Sequence, residues 1–374
     1  MKKHLNYYLF FLTIILVVFG ILFLSTLSAP ASMRSFGNTN YYLTHQLYLL
    51  LGGIILSIFA YKFPLNYFKK FAPLLLFANL ALLIVVFLPV IGAEFWGAKR
   101  WINIGIGTFQ PSEFLKITAI LYLSAWISNR LPGGRKGGWI SMAKKGYHNI
   151  KSVFVPFIIF LAIISVFLAL QPDISTLGII GLTLVLMYFF AGTPVWNTVL
   201  IFLTAVGGLF ALIKFEPYRL DRWLIFLHPE TDPLGKGFQM KQSLIAIGSG
   251  GFFGKGWGMS SQKFGFLPQA MSDSIFAILG EETGIVGSLF LVFLFLFFLW
   301  LGVKIAKSSN DKFSQLTAIG ITFWLVIQAF LNIAANLGIA PMAGIPLPFF
   351  SYGGSHLVTE LIGIGILLNI SKNS

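Results

Sequence analysis

The sequence predicts an all-α fold: a polytopic integral membrane protein of ten transmembrane helices, forming a single membrane domain over residues 1–374. Composition is the first observation behind this prediction. The chain has 374 residues, of which 57% are hydrophobic and only 10% are charged, whereas a soluble domain carries about 25% charged residues. The second observation is a series of long windows without charge, and about 20 apolar residues allow a helix to cross the hydrocarbon. A single soluble core could not absorb this much apolar surface.

Eight spans follow from these windows, and two more are predicted that carry charge: 112–129 with Glu113 and Lys116 at its start, and 350–371 with Glu360. In chain order the ten spans occupy residues 4–33, 35–61, 71–93, 112–129, 152–172, the two halves of 174–213, 283–303, the first part of 313–359, and 350–371. The stretch GTPVW divides the window 174–213, because glycine and proline interrupt regular structure. Before the last span, the Gly- and Pro-rich stretch APMAGIPLPFFSYGG predicts a re-entrant or loop segment.

The distribution of Lys and Arg predicts the orientation of the spans. Two lysines precede the window 4–33, which is much longer than the about 7–15 residues of a signal-peptide core, so we expect an uncleaved first span. With the N-terminus in the cytoplasm, the inside segments hold fifteen Lys and Arg residues, and the short outside loops hold only Arg34, Lys99 and Arg100. Because basic residues favour the cytoplasmic side, both termini are predicted to be cytoplasmic.

A large extracytoplasmic loop is predicted between helices 7 and 8, at residues 214–275, although it carries seven Lys and Arg residues. Long loops translocate largely regardless of their charge. A basic outer loop suits an anionic ligand such as a phosphate-bearing lipid; contact with lipid headgroups is the alternative. Arg219 and Arg222 are the better phosphate clamps in this loop, because a guanidinium group matches phosphate oxygens. The net charge of +14 reflects membrane topology, so nucleic acid is not an expected partner.

Metal and redox chemistry find little support in the sequence. The chain has no cysteine and only five scattered histidines, so no thiolate or histidine metal site is expected. The loop stretch GSGGFFGKG fails the pattern of a nucleotide phosphate loop. Its glycines more simply allow close approach of the backbone to a surface or ligand.

The stretch WGAKRWINIGIGTFQPSEFLK, between spans three and four, brings ionisable and aromatic side chains to the outer surface. Lys99, Arg100 and Trp101 are expected at the interface, where tryptophan is common in any case. Glu113 and Lys116 lie three residues apart, on one face of a helix. They form either a buried ion pair or part of a functional site, and ionisable residues inside a span favour the functional interpretation.

The outside turn QPDIST contributes one more carboxylate, that of Asp173. An aspartate in this position often caps a helix, because its side chain accepts a hydrogen bond from a free backbone N–H group. A functional role is the alternative, and the sequence leaves both open.

The stretch PQAMSDSIFAILGEETGIVG brings three of the 12 acidic residues, Asp273, Glu281 and Glu282, to the start of span eight. Asp273 could be a helix cap, but two adjacent glutamates inside a span need a polar cavity or cationic partners. Lys116 and Arg100 are the candidate partners. Carboxylates, cations and an aromatic side chain would then converge near the outer leaflet, an arrangement that suits an amphipathic lipid with a charged headgroup.

In these motifs the chain closely resembles the SEDS family of polytopic cell-wall proteins, which includes FtsW, RodA and SpoVE. The resemblance covers nearly the whole chain and rests on AKRWI with QPSE, QPD, FLHPETDPLGKGFQMKQSLIAIGSGG, SDSIFAILGEETG and GIPLPFFSYGGS, in this order. It implies ten spans with both termini cytoplasmic. It also implies a peptidoglycan glycosyltransferase for cell division or cell elongation, which polymerises lipid II at the outer face of the bacterial cytoplasmic membrane. Lipid II is a disaccharide-pentapeptide on undecaprenyl diphosphate.

The resemblance further implies partners and single-residue roles. A class B penicillin-binding protein would crosslink the product, and other division or elongation proteins would associate. Asp273 matches the essential aspartate of the family's large outer loop and is the expected catalytic base. The expected substrate-binding residues are Lys99, Arg100, Trp101, Glu113, Lys116, Arg219, Arg222, Gln239, Gln242, Ser243, Glu281, Ser351 and Tyr352. Cations would stabilise the leaving diphosphate; a divalent ion could share that role, although the sequence offers no dedicated metal site.

Two choices stay open at this point. Within the family, GFQMKQS and GMSSQK favour the FtsW branch whereas FLHPETDPLG and GKGW are closer to RodA; we favour FtsW. The rival activity is transport, as a lipid II flippase or another carrier of lipid-linked precursors, since such proteins also combine many spans with intramembrane carboxylates. A carrier needs charge near the midplane, whereas the inside halves of these spans are apolar, which favours the polymerase.

Overall fold

The structure of the protein is a computed structural model that describes residues 6–89, 92–95, 98–103, 105, 107–130, 153–215, 224–228, 230, 232 and 235–373. Most of these residues are helical. The helices are α1 (Tyr7–Phe36), α2 (Tyr41–Lys62), α3 (Leu65–Val85), α4 (Pro111–Arg130), α5 (Val155–Leu170), α6 (Ile174–Phe190), α7 (Val195–Phe215), α8 (Lys236–Gly250), α9 (Ile275–Ser308), α10 (Lys312–Asn336) and α11 (Gly354–Lys372), with a 3-10 helix at Gln262–Phe264.

Six of the described helices, α1, α2, α3, α9, α10 and α11, are long and apolar enough to cross a membrane, and three shorter apolar helices accompany them. The chain is therefore a multi-pass membrane protein, as its composition predicts. The interruption at GTPVW is confirmed, because α6 ends at Phe190 and α7 begins at Val195. The Gly- and Pro-rich stretch is likewise non-helical, between the end of α10 at Asn336 and the start of α11 at Gly354.

A small antiparallel sheet departs from the all-α expectation. Its strands are β1 (Gly92–Phe95), β2 (Ala98–Asn103) and β3 (Thr108–Phe109), in the spatial order β1-β2-β3. Strands of two to six residues are too short to show the alternating pattern from which a strand is predicted. The sheet lies directly before α4 in the chain and carries the basic motif that includes Arg100.

Helices α10 and α11 form the centre of the bundle. In each of these two helices, 72% of the most apolar stretch is buried within the protein. The corresponding share is 17% for α2 and 22% for α3. Helix α10 packs against α4, α6, α9 and α11. Its polar side chains Gln328, Asn332 and Asn336 are consequently buried against protein, where they can bond other polar groups.

The region between α7 and α9 differs from the predicted loop at residues 214–275. It contains the helix α8, whose residues Met240, Ser243 and Ala246 are buried and which packs against α9. Its Gly- and Ser-rich end suggests a loop, yet small side chains also allow two helices to approach closely. Span eight was predicted from residue 283, whereas α9 begins at Ile275, because the two glutamates end a charge-free window without ending the helix.

Candidate functional site

Asp273 lies at the point where the chain enters α9. The N-cap residue of this helix is Ser274, so Asp273 does not hold the N-cap position that was its structural alternative. The Asp273 side chain is half-buried. A Cβ atom added to Gly344 would lie 3.4 Å from Asp273 Oδ2, so the carboxylate lies beside the backbone of the Gly- and Pro-rich segment.

The backbone around Asp273 is held by amide side chains of α10. Asn332 Nδ2 and Asn336 Nδ2 donate hydrogen bonds of 2.8 and 2.9 Å to the main-chain oxygen of Asp273. The Asn332 amide also donates to the main-chain oxygen of Ile345, at 2.7 Å. Asn332 and Asn336 are buried. One side of the Asp273 peptide is therefore fixed to the interior of the bundle.

Ser351 and Tyr352 contact the two residues that precede Asp273 in the chain. Ser351 Oγ donates to the main-chain oxygen of Ser272 and accepts a hydrogen bond from Leu347 N. Tyr352 N donates to the main-chain oxygen of Met271, at 2.8 Å. The segment after α10 and the segment before α9 are thus joined through main-chain atoms.

The Tyr352 phenol faces the start of α2. Its hydroxyl lies 2.8 Å from His45 Nδ1, and its ring meets that of Tyr42 edge-on. Burial, reinforced by the neighbouring Tyr42 and Tyr41, raises the pKa of Tyr352 to about 12. Tyr352 therefore stays a neutral phenol throughout the physiological range.

Glu113 and Lys116 form a buried ion pair that belongs to a larger polar network. Lys116 Nζ lies 2.9 and 2.8 Å from the two carboxylate oxygens of Glu113, and it donates to Gln328 Oε1 at 2.9 Å. Trp324 Nε1 donates to the same Gln328 oxygen. The Gln328 amide donates in turn to Glu360 Oε1, at 3.2 Å. The network links α4, α10 and α11 inside the membrane protein.

This network also holds the Gly- and Pro-rich segment. Gln328 Nε2 donates to the main-chain oxygen of Pro346, at 3.1 Å. Glu360 Oε2 accepts a hydrogen bond of 2.9 Å from Phe349 N. Phe349 has φ 66°, a conformation that is uncommon for a bulky residue. The buried carboxylate therefore compensates a strained turn close to Ser351.

Glu281 is paired with the loop that precedes it. Lys255 Nζ lies 2.6 Å from Glu281 Oε1. The hydroxyl group of Ser260 donates to Glu281 Oε2, and Ser261 donates to Glu281 Oε1 from both its N and its Oγ. The expectation of a partner on span four was wrong, because Lys116 is engaged by Glu113. Lys255 and Glu281 are 26 positions apart in the chain, so a local sequence pattern cannot predict their contact.

Glu282 braces the same loop from the other side. Its carboxylate accepts hydrogen bonds from Gly258 N, at 2.8 Å, and from Ser260 N, at 3.2 Å. Lys263 Nζ lies 3.6 Å away. The adjacent glutamates thus satisfy the backbone of a folded loop, which explains why two carboxylates are tolerated at the start of an apolar helix.

Helix α9 is interrupted at Gly284, which has φ 66° and ψ −162°. Backbone groups of the preceding loop compensate the broken helical bonds: Lys255 N donates to Glu281 O, and Ile285 N donates to Gly251 O, both at 2.9 Å. Non-helical backbone at membrane depth is tolerated only where its polar groups are satisfied. The loop therefore forms a structural unit with α9.

The basic motif of strand β2 lies near the QPD turn. Arg100 Nε donates to the main-chain oxygen of Gln171 at 3.0 Å, and a second guanidinium nitrogen donates to that of Pro172. Arg100 is therefore bound to the protein, and the expectation that it partners the glutamates of span eight was wrong. Lys99 is exposed and Trp101 is half-buried.

Asp173 is a helix cap with a second contact. Its side chain accepts a hydrogen bond from Thr176 N, at 3.3 Å, at the start of α6. Ser112 Oγ donates to the other carboxylate oxygen, at 3.0 Å. Both residues are buried. The side chain thus ties the start of α6 to the start of α4.

The remaining expected residues lie in the long outer region. Gln239 Nε2 donates to Ser274 Oγ at 2.9 Å, one residue from Asp273, and Gln242 is half-buried. Ser243 Oγ is buried without a hydrogen-bond partner among the described residues. Arg219 and Arg222 lie outside the described residues.

The site therefore combines Asp273, Gln239, Ser351 and Tyr352 with buried polar side chains of α10 and α11 that the sequence reasoning missed. Gln328, Asn332 and Asn336 are spaced by four in an apolar helix, a spacing that places them on one face and could have revealed them. Because these three side chains carry no charge, a search of the sequence for charged residues does not find them. Among the described residues, no group of three or more His, Asp or Glu side chains could hold a metal ion.

Comparison with known proteins gives a consistent result. The model of the FtsW, RodA and SpoVE family, described as "Cell cycle protein", matches residues 7–374. The chain is 34% identical to "Stage V sporulation protein E" of Bacillus subtilis, over 97% of this chain and 96% of that protein. It is 36% identical to "Probable peptidoglycan glycosyltransferase FtsW" of Coxiella burnetii, over 96% of this chain and 94% of that protein.

Two solved structures share the fold. One chain of the structure described as "Structural coordination of polymerization and crosslinking by a peptidoglycan synthase complex" has a TM-score of 0.77 and 25% identity, covering 98% of this chain and 97% of that chain. The crystal structure of the rod shape determining protein RodA of Thermus thermophilus has a TM-score of 0.69 and 24% identity, covering 98% of this chain and 96% of that chain.

Proposed function

We propose that this chain, which belongs to the FtsW, RodA and SpoVE family, is a peptidoglycan glycosyltransferase that polymerises lipid II with Asp273 as its general base. The observation that carries the assignment of the base is the geometry of Asp273. Its main chain is fixed by two buried amides, while its half-buried carboxylate faces a glycine of the neighbouring segment. We place the acceptor hydroxyl group at this carboxylate, next to the backbone of Gly344.

The proposed reaction is a single inverting displacement. The 4-hydroxyl oxygen of the acceptor sugar forms a bond to the anomeric carbon of the donor, and the bond from that carbon to the diphosphate oxygen breaks. The hydroxyl proton passes to the Asp273 carboxylate, and the electron pair of the broken bond leaves with undecaprenyl diphosphate. One positioned base suffices for this step, and a second carboxylate that would form a covalent intermediate is not required.

Cations are needed where the diphosphate leaves, because negative charge develops there. Of the expected cations, Lys99 is exposed, whereas Arg100 and Lys116 are engaged by protein groups. We therefore assign the diphosphate to Lys99 with Arg219 and Arg222. A divalent ion that arrives with the substrate could share this role. Lys116, Glu113 and Glu281 would act on the substrate indirectly, by supporting the segments around it.

The remaining polar residues line the proposed path of the headgroup. Gln239 and Ser351 contact the residues that flank Asp273, so a sugar held by Asp273 would pass close to both. Trp101 would offer an apolar ring face to a sugar. The other proposed substrate-binding residues are Gln242, Ser243 and Tyr352.

The proposed topology has ten spans with both termini in the cytoplasm of the bacterial cell, in its cytoplasmic membrane. The six long apolar helices and the three shorter ones support it, together with α4, which begins at Pro111, carries Glu113 in its first turn and is largely buried. Residues 214–275 then lie outside the cytoplasm. A donor anchored by a prenyl chain requires a site at the membrane surface, where Asp273 is placed by this topology.

A class B penicillin-binding protein is the proposed partner. One similar chain, 97% of which is covered by the match, comes from the structure described as "Structural coordination of polymerization and crosslinking by a peptidoglycan synthase complex". A glycan polymerase supplies the strands that a transpeptidase crosslinks, so the two activities are expected to meet at one place. Other division or elongation proteins would join this complex.

The experiment that tests the proposal measures glycan chains made from fluorescent lipid II by the purified protein with its transpeptidase partner. Asp273→Asn keeps the size of the side chain but cannot accept the proton, and loss of a positioned base costs roughly 10²–10⁴-fold in rate. Wild type, Asp273→Asn and the exposed-residue control Lys307→Gln are compared at matched monodispersity and matched partner content. An Asp273→Asn protein that makes chains at more than about a tenth of the wild-type rate would remove Asp273 as the base.

A further inference from the structure

We propose that Asn332 is a positioning residue for the transferase reaction, because its single amide group joins the backbone of Asp273 to the segment that faces the Asp273 carboxylate. The inference rests on the proposed function of Asp273. It adds a residue of α10 that carries no charge and that does not touch the substrate.

The contacts of the Asn332 amide define this role. Its nitrogen donates to Asp273 O at 2.8 Å and to Ile345 O at 2.7 Å. An amide NH2 group has two hydrogens, so both are used. Gly344 precedes Ile345 and lies against Asp273 Oδ2. One side chain therefore fixes the separation between the catalytic carboxylate and the backbone opposite it.

The surroundings of Asn332 explain why this bridge is rigid. Asn332 is 1% exposed, so water cannot readily replace it. Asn336 donates to Asp273 O, to Asn332 O at 2.9 Å and to the Asn332 side-chain oxygen at 3.4 Å. The second amide thereby orients the first. Gln328, one turn earlier, holds Pro346, so Gln328 and Asn332 fix two adjacent carbonyl groups of one stretch of backbone.

Neither end of the bridge is held by regular secondary structure. The helical hydrogen bonds of α9 start from Ser274 O, which accepts from Ala277 N at 3.1 Å, and the Asp273 carbonyl accepts from the amides of α10 instead. Ile345 lies in the non-helical stretch between α10 and α11. Loss of the Asn332 amide would therefore release two irregular segments from each other without unfolding a helix.

Such a release should lower the rate of the chemical step and leave substrate binding intact. A shift of about 1 Å in a catalytic group can cost 10²-fold in rate. We expect Asn332→Leu, which has a similar size but no donor, to reduce kcat by about 10–100-fold with KM for lipid II within about twofold. Asn332→Gln keeps the donor on a longer side chain, so its kcat should lie between those of the leucine variant and wild type.

Asn369 provides a matched control. It is also a buried asparagine, and its amide also bridges two main-chain oxygens, those of Ala60 and Phe63 at 3.0 and 2.6 Å. It lies in the last turn of α11, away from Asp273 in the chain. Asn369→Leu should lose comparable stability and keep its kcat, which separates positioning from a general effect on the fold.

The measurement is the initial rate of chain formation at several lipid II concentrations, for both leucine variants, Asn332→Gln, Asp273→Asn and wild type in one preparation series. A selective fall in kcat for Asn332→Leu supports the inference. The inference would be overturned if both leucine variants lost kcat equally. It would also be overturned if Asn332→Leu changed only KM, or if its kinetics were unchanged. If Asn332→Leu does not yield monodisperse protein, Asn332→Ser is compared with Asn369→Ser by the same criteria.

The same series separates this inference from the proposed function. Chain formation by Asp273→Asn would remove Asp273 as the base and with it the reason to position that residue. An inactive Asp273→Asn beside a fully active Asn332→Leu would overturn only the role of Asn332.

Discussion

Replacement of Glu281 by alanine should separate the structural role of the two glutamates from the chemistry of the site. In the folded protein the Glu281 carboxylate is inaccessible to solvent and accepts from Lys255, from Ser260 and Ser261, and from Gln262 N at 3.4 Å. The Glu281→Ala substitution removes the acceptor and leaves all these donors in place.

The expected loss of folding free energy depends on how many of those donors water can reach. Removing one partner of a buried ion pair costs about 3–5 kcal/mol. The Lys255 side chain is 37% exposed, so its ammonium group can be rehydrated and contributes little to the cost. Ser260 is 1% exposed, and a buried donor left unsatisfied costs about 1–3 kcal/mol. We therefore expect a loss near the lower end, about 3 kcal/mol, most of it from the serines.

The assay is thermal unfolding of the detergent-solubilised protein, with chain formation from lipid II measured alongside. A loss of about 3 kcal/mol should lower the midpoint by roughly 4 °C, and chain formation should fall because the loop that precedes Asp273 loosens. Lys307→Ala, at an exposed lysine near the end of α9, is the control and should change neither. A Glu281→Ala protein with wild-type midpoint and wild-type rate would refute the bracing role.

Three further predictions concern the bundle and the rival activity. Lys116→Met should destabilise the protein by about 3–5 kcal/mol in thermal unfolding, because Glu113 loses its buried partner, and adding Glu113→Gln should recover part of the loss. Gly284→Ala should lower the unfolding midpoint, since an added Cβ would lie 2.4 Å from Gly254 N; Gly248→Ala has open space and is the control. Liposomes with wild type should show negligible transfer of fluorescent lipid II between leaflets; transfer as fast as chain formation would instead support a flippase.

The helices were largely predictable because membrane spans are set by local composition. A window without charge long enough to cross the hydrocarbon leaves little choice of structure, and α6 and α7 separate at GTPVW as predicted. The start of α9 was predicted too late for a related reason. Glu281 and Glu282 interrupt the apolar window, but their charges are met by the loop, and they lie in the helical turns that precede the break at Gly284.

The partners of the charged residues could not be predicted by the same means. Glu281 pairs with Lys255, and Arg100 binds the main chain of Gln171 and Pro172. These contacts are fixed by how the loops fold over the helix ends, and no sequence period encodes them. Opposite charges near the outer surface were correctly expected to find partners, but the choice among several cations depends on the tertiary structure.

The amides of α10 show why irregular backbone inside a membrane protein requires polar side chains within the bundle. Asp273 must lie on non-helical backbone to face another segment, and non-helical backbone inside a membrane protein leaves carbonyl oxygens without helical partners. Asn332 and Asn336 supply donors to Asp273 O, and Gln328 supplies one to Pro346 O. Neutral amides suit this purpose because burying a charge without a partner costs far more than burying a hydrogen-bonded amide. The polar face of α10 therefore supports the irregular backbone at Asp273 and Pro346, and substitutions there should cost less activity than loss of the Asp273 carboxylate.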